Sequence, residues 1–164
     1  MAAVKSNYKT APTATRVEER TNPKINQRIK RDTEVNLARA AVDKAAIERR
    51  LRELDQEWDI EHLLQTNFSV VNLLSVTLGT LLARPWFLLT GIAATFMSQH
   101  ALQGWCPPIP ILRRMGFRTS REIAQERYAL KVLRGDFQGA DAQHPAKALA
   151  AAATGSRFEK ETSE

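Results

Sequence analysis

Two stretches without a single Asp, Glu, Lys or Arg constrain this chain more than anything else in it: residues 62–83 and residues 85–112, separated only by Arg84. Crossing a bilayer takes roughly 20 residues of helix, and both windows exceed that length. Their apolar centres are shorter, Phe68 to Ala83 and Trp86 to Met97, and they carry Ser, Thr and Asn, with His100 just beyond. The pair predicts a two-helix transmembrane hairpin with a tight turn at Arg84-Pro85-Trp86. Past Trp105, the run Cys106-Pro107-Pro108-Ile109-Pro110 removes backbone donors and blocks helix continuation, so the second helix is expected to stop there.

The charges outside these windows give the expected topology. Of 24 Lys and Arg, 13 fall in residues 1–67, one is Arg84, and 10 fall in residues 98–164. That is the positive-inside pattern, with both termini on the cytoplasmic side. It accounts for the net charge of +6 without a nucleic-acid partner, for which the sequence offers no recognisable motif. A mean hydropathy of -0.35 averages the apolar windows with the charged flanks and hides both. Met1 to Val17 is polar and turn-rich, so the first hairpin helix itself is expected to direct insertion. A single cysteine excludes an intramolecular disulfide.

The rest of the chain reads as all-α. Residues 1–33 mix Lys, Arg, Thr and Asn without apolar periodicity and are expected to be a disordered basic arm. Across residues 34–66, Leu37, Ala40, Ala41, Ile47, Leu51, Leu54 and Trp58 recur at threes and fours, which predicts one long amphipathic helix. Its other face sets opposite charges four apart, such as Arg39 with Asp43 and Arg49 with Glu53. The hairpin occupies residues 67–106. Residues 107–137 form a Pro-rich turn and a short cytoplasmic helix, in which Thr119 and Glu122 make a capping box and Gly135 the stop. Residues 138–164 are an Ala-rich tail expected to be disordered, although Ala146 to Ala153 has helix-forming composition.

Candidate functional residues lie in and around the hairpin. Ser75, Gly79 and Ala83 repeat every fourth residue, as do Thr90, Ala94 and Ser98, so both helices offer small-residue strips for close packing. The strips serve the hairpin, a homo-oligomer or a larger membrane complex. Asn72, Gln99 and His100 are polar groups that need a partner in an apolar setting, and bonding between the helices is favoured over an ion or proton site. Trp86 and Trp105 lie 19 residues apart, suited to the two interfaces of one bilayer, with Trp58 as a further anchor. Cys106 is a candidate thiol beside Arg113 and Arg114, whose charges would lower its pKa, but only His100 is near enough in sequence to act with it. No metal or other cofactor is expected. The acidic segment holding Glu57 and Asp59 is expected to pair with Arg113, Arg114, Arg118 and Arg121 across the two flanks of the hairpin.

Four segments together resemble the YgaP-like transmembrane family of bacterial inner-membrane proteins: Arg52-Glu53-Leu54-Asp55-Gln56-Glu57-Trp58-Asp59-Ile60-Glu61, Gly104-Trp105-Cys106-Pro107-Pro108, Arg113-Arg114-Met115-Gly116 and Glu126-Arg127-Tyr128-Ala129-Leu130-Lys131. The resemblance covers about residues 47–137 and implies location in the inner (cytoplasmic) membrane and a hairpin fold. In some relatives the hairpin follows a rhodanese domain; this chain has none, so sulfur transfer is not implied. The expected function is therefore a non-enzymatic membrane anchor or accessory subunit in contact with the lipid bilayer, with a thiol or sulfur relay through Cys106 as the alternative.

Overall fold

The structure, a computed structural model, describes residues 15–140 and 145–153. Among the described residues the secondary structure is entirely helical, in eight helices. These are α1 (Arg16–Glu19), α2 (Pro23–Ala40), α3 (Lys44–Gln56), α4 (Ile60–Leu81), α5 (Trp86–Gln103), α6 (Ile109–Met115), α7 (Ser120–Arg134) and α8 (Pro145–Ala153). The chain divides into two compact units, Met1–Asn26 with Ile60–Phe117 and Gln27–Asp59 with Arg118–Glu164.

The all-α class holds, but the two-span membrane architecture does not. No helix of the described residues is long and apolar enough to cross a membrane. The reason lies in where the helices begin and end. α4 spends its first two turns on Glu61, His62, Gln65 and Asn67, and α5 ends in Ser98, Gln99, His100 and Gln103. The uncharged windows therefore overstate the apolar length, because uncharged amides and imidazoles occupy the ends that hydrocarbon would have to cover. The integral-membrane reading and the inner-membrane location are corrected accordingly.

The long helix expected over residues 34–66 is divided among three helices. Asp43, extended at φ -155°, caps α3 by accepting a hydrogen bond from the Ala46 amide at 2.6 Å. The cap ends the register of α2, so Arg39 and Asp43 do not sit one turn apart on a common helix. A second break, at Glu57 to Asp59, separates α3 from α4. The basic arm expected to be disordered carries α1 and the start of α2, which opens at Pro23 because proline is tolerated in the first helical turn, where its missing N–H is not needed. The tail carries α8. The disorder expected of the arm and tail at residues 1–14, 141–144 and 154–164 falls outside the described residues.

In the second unit α3 packs on α7. Ile47, Leu51 and Leu54 meet Ile123 and Leu130, with Ala40 from α2, and all are buried. α7 starts on the Thr119–Glu122 capping box and stops at Gly135, whose φ of 91° is the left-handed conformation glycine adopts without a Cβ penalty. Glu126 is fully buried on this helix. Its carboxylate accepts from Arg50 Nε at 2.7 Å and Nη2 at 3.3 Å, and from Arg118 Nη1. Arg118 also grips Glu57 with two bonds of 2.6 Å. Burial alone would lower the pKa of both arginines; Glu126 with Glu53 and Glu57 around Arg50, and Glu57 with Glu126 around Arg118, outweigh it and hold both guanidiniums above their ordinary values. Lys131, also buried, donates to the carbonyls of Ala151 and Ala152 at 3.3 and 2.6 Å and so ties the last turn of α8 to α7.

In the first unit Val17, Ile60, Leu64, Cys106 and Ile109 form the core, with Leu112 and Phe117 packed against it. α5 closes at Gly104, φ 69°, whose amide donates to the His100 carbonyl at 2.8 Å. Arg16 reaches across from α1 and donates to the Ala101 carbonyl at 2.6 Å, satisfying a second group at that helix end. A Cβ at position 104 would collide with the Arg16 side chain.

Candidate interaction surface

α4 and α5 pack side by side through small residues. Ser75, fully buried, shares a 2.6 Å hydrogen bond with Thr90. One turn on, Gly79 lies under the Phe87 ring, which a Cβ would meet at 3.0 Å. Asn72 bonds within its own helix, to the Phe68 carbonyl at 2.8 Å, so the polar link between the two helices is made by hydroxyls.

That contact consumes only one stripe of each helix. Val70, Leu73, Leu74 and Val76 on α4, and Leu81 and Leu82 at its end, are 42 to 75% exposed. Trp86, Phe87, Leu88, Leu89, Ile92, Phe96 and Leu102 on α5 are 40 to 71% exposed. At on the order of 100 Å² each, these thirteen side chains expose roughly 1,300 Å² over several sides of the pair, where the largest single apolar patch on a typical monomer is ~300–600 Å². Small residues open the surface further: Ala83, Ala94 and Ser98 are exposed, and a Cβ on Gly91 would have nothing within 4 Å. The local cause is plain in the sequence. α5, from Trp86 to Gln103, carries no charged residue and distributes its apolar residues around the whole circumference, a composition suited to being covered on several sides.

The other candidate residues sit away from this face. Cys106 is buried in the core, and burial pushes its thiol up, only partly offset by the Ile109 amide. The expected activation by Arg113 and Arg114 is therefore reversed by desolvation. His100 is 4% exposed with no hydrogen-bond partner at Nδ1, and burial followed by the Arg16 charge lowers its pKa, against a smaller opposing pull from Glu61. Among the described residues, no group of three or more His, Cys, Asp and Glu is placed to hold a metal ion. Arg113 is fully buried and donates to Asn26 Oδ1 at 2.7 Å and to the Phe117 carbonyl at 3.2 Å. Glu57 is held by Arg118, one of the four arginines expected to face the acidic segment.

No family model, curated protein or solved structure matches the chain. The surface must then be interpreted by its own chemistry. Trp86 is exposed at its edge and Trp105 half-buried, while Trp58, also exposed, belongs to the second unit; the part expected of them as bilayer anchors falls with the crossing. Glu57 and Asp59 likewise belong to the second unit. What α4 and α5 present is an uncharged, mostly aliphatic surface on several sides of the pair.

Proposed function

We propose that this chain is a self-assembling helical protein, in which the α4–α5 pair of one copy docks on the same pair of a second copy. The observation that carries the reading is the exposed apolar surface of that pair, roughly 1,300 Å² over its several sides, of which a standard interface would cover ~800 Å² per partner. Charge supports a second copy over an unlike partner. In a two-fold interface every patch meets itself, so a charged group near the axis would face its own like charge. Residues 62–83 and 85–112 contain no charged residue, which is the composition that self-apposition tolerates. Two helix pairs facing each other would make a four-helix arrangement, and the exposed Gly91 and Ala94 allow close approach.

Sedimentation equilibrium of the full chain tests this, with parallel samples given phosphatidylcholine vesicles. The expected result is a concentration-dependent dimer that Leu88→Lys with Ile92→Lys converts to monomer, since both positions are exposed and the substitution puts like charges opposite each other. A monomer at all concentrations, or a dimer unaffected by those changes, overturns the proposal. So does a chain that partitions wholly into the vesicles as a monomer.

A further inference from the structure

A cavity of about 210 Å³ opens in the second unit between the end of α2 and the first half of α3. Asn36, Arg39, Ala40, Ala46, Arg49, Arg50 and Glu53 line it. Three arginines against one glutamate leave this wall two positive charges in excess. Arg50 is fully committed, with Nε and Nη2 on Glu126 and Nη1 on Glu53 at 2.9 Å, so Glu53 is already neutralised. Arg39 and Arg49 differ: among the described residues neither side chain makes a hydrogen bond or an ion pair. The buried methyl groups of Ala40 and Ala46 contribute no bulk, and the cavity has room for a small oxyanion with several waters at ~30 Å³ each.

We infer that this cleft binds a phosphate group, held by the guanidiniums of Arg39 and Arg49 with the Asn36 amide as a further donor. Two guanidinium forks from two helices offer several donors, which the three or four oxygens of a phosphate group satisfy where a single carboxylate supplies only two. A phosphate group's charge of about -1.5 to -2 also matches the excess of the lining. Arg50 serves as a fixed wall, because its bonds to Glu126 prevent it from turning toward the ligand.

The test uses the full chain and two sources of the same group. Inorganic phosphate is titrated calorimetrically at constant ionic strength against chloride, and vesicles of phosphatidylcholine with and without phosphatidic acid are compared by co-sedimentation. The expected result is binding of at least one phosphate source over its control, weakened several-fold by Arg49→Gln and at least tenfold by Arg39→Gln with Arg49→Gln. Both residues are exposed and outside the ion cluster, so circular dichroism of the variants should match wild type. Free phosphate bound in this way assigns a soluble ligand; preference for phosphatidic acid alone assigns a lipid headgroup. Failure of both sources to exceed their controls, or binding unchanged in the double variant, overturns the inference.

Discussion

Replacing Glu126 with Gln isolates what the buried ion cluster contributes. The carboxylate is fully buried and accepts three hydrogen bonds, one from Arg118 and two from Arg50. Glutamine keeps the shape but removes the charge and leaves one oxygen to accept where there were two. Arg118, with 7% of its side chain exposed, would keep Glu57; Arg50 would keep only Glu53 and a long 3.8 Å approach to Glu57. Breaking a buried pair from one side typically destabilises by about 3–5 kcal/mol, and the surviving partners place this case at the lower end, about 3 kcal/mol. For a chain of this length that is a fall of roughly 6–12 °C in Tm. The comparison is Asp55→Asn, which breaks the more exposed pair with Arg127 and should lose at most about 1 kcal/mol. Urea unfolding followed by circular dichroism measures both. A loss below about 1 kcal/mol for Glu126→Gln, or equal losses for the two variants, would show that the arginines find water or other acceptors without strain and would refute the reasoning.

Two further outcomes follow from the first unit. His100 has a folded pKa held below its ordinary value of 6.5, so the stability tied to its neutral form is complete above pH 6.5 and is lost as the pH falls through the folded pKa. Acidification from pH 7 to pH 5 should therefore lower the thermal midpoint of wild type more than that of His100→Gln, and parallel profiles would contradict this. Gly79→Leu should lower protein yield and protease resistance far more than Leu81→Phe, because Gly79 lies under the Phe87 ring whereas Leu81 is 75% exposed; equal tolerance would count against close α4–α5 packing.

Local punctuation and periodicity made parts of the structure legible in advance. Thr119, Glu122 and Gly135 mark both ends of α7, and the three-and-four spacing of Leu37, Ala40, Ile47, Leu51 and Leu54 identifies the face that packs on α7. Other signals were present but outweighed. Asp43 is a capping residue in the middle of an apolar repeat, and Pro23 and Pro110 act at helix starts although proline more readily suggests an end. The membrane expectation failed on a different count: absence of charge is a weaker property than presence of hydrocarbon, and Gln65, Asn67, Gln99 and His100 satisfy the first without the second. The cavity at Arg39 and Arg49 had no sequence signal, because their helical register suggested ion pairs with Asp43 and Glu53, and Asp43 instead caps α3 while Glu53 is taken by Arg50.

The Arg16 contact with the end of α5 also sets an order of events during synthesis. α1 contributes Val17 to a core completed by Cys106 and Ile109, and Arg16 donates to Ala101, 85 residues further along. At ribosomal rates of about 5–20 residues per second, the first helix waits roughly 5–20 s for the residues it must cover. The second unit is interrupted in the same way, since Leu51 must wait for Leu130. The first unit is complete only at Phe117 and the second only once Ile123 and Leu130 are made, so until α6 is finished the nascent chain holds both sets of apolar residues open together, and the α4–α5 surface emerges before either core is complete.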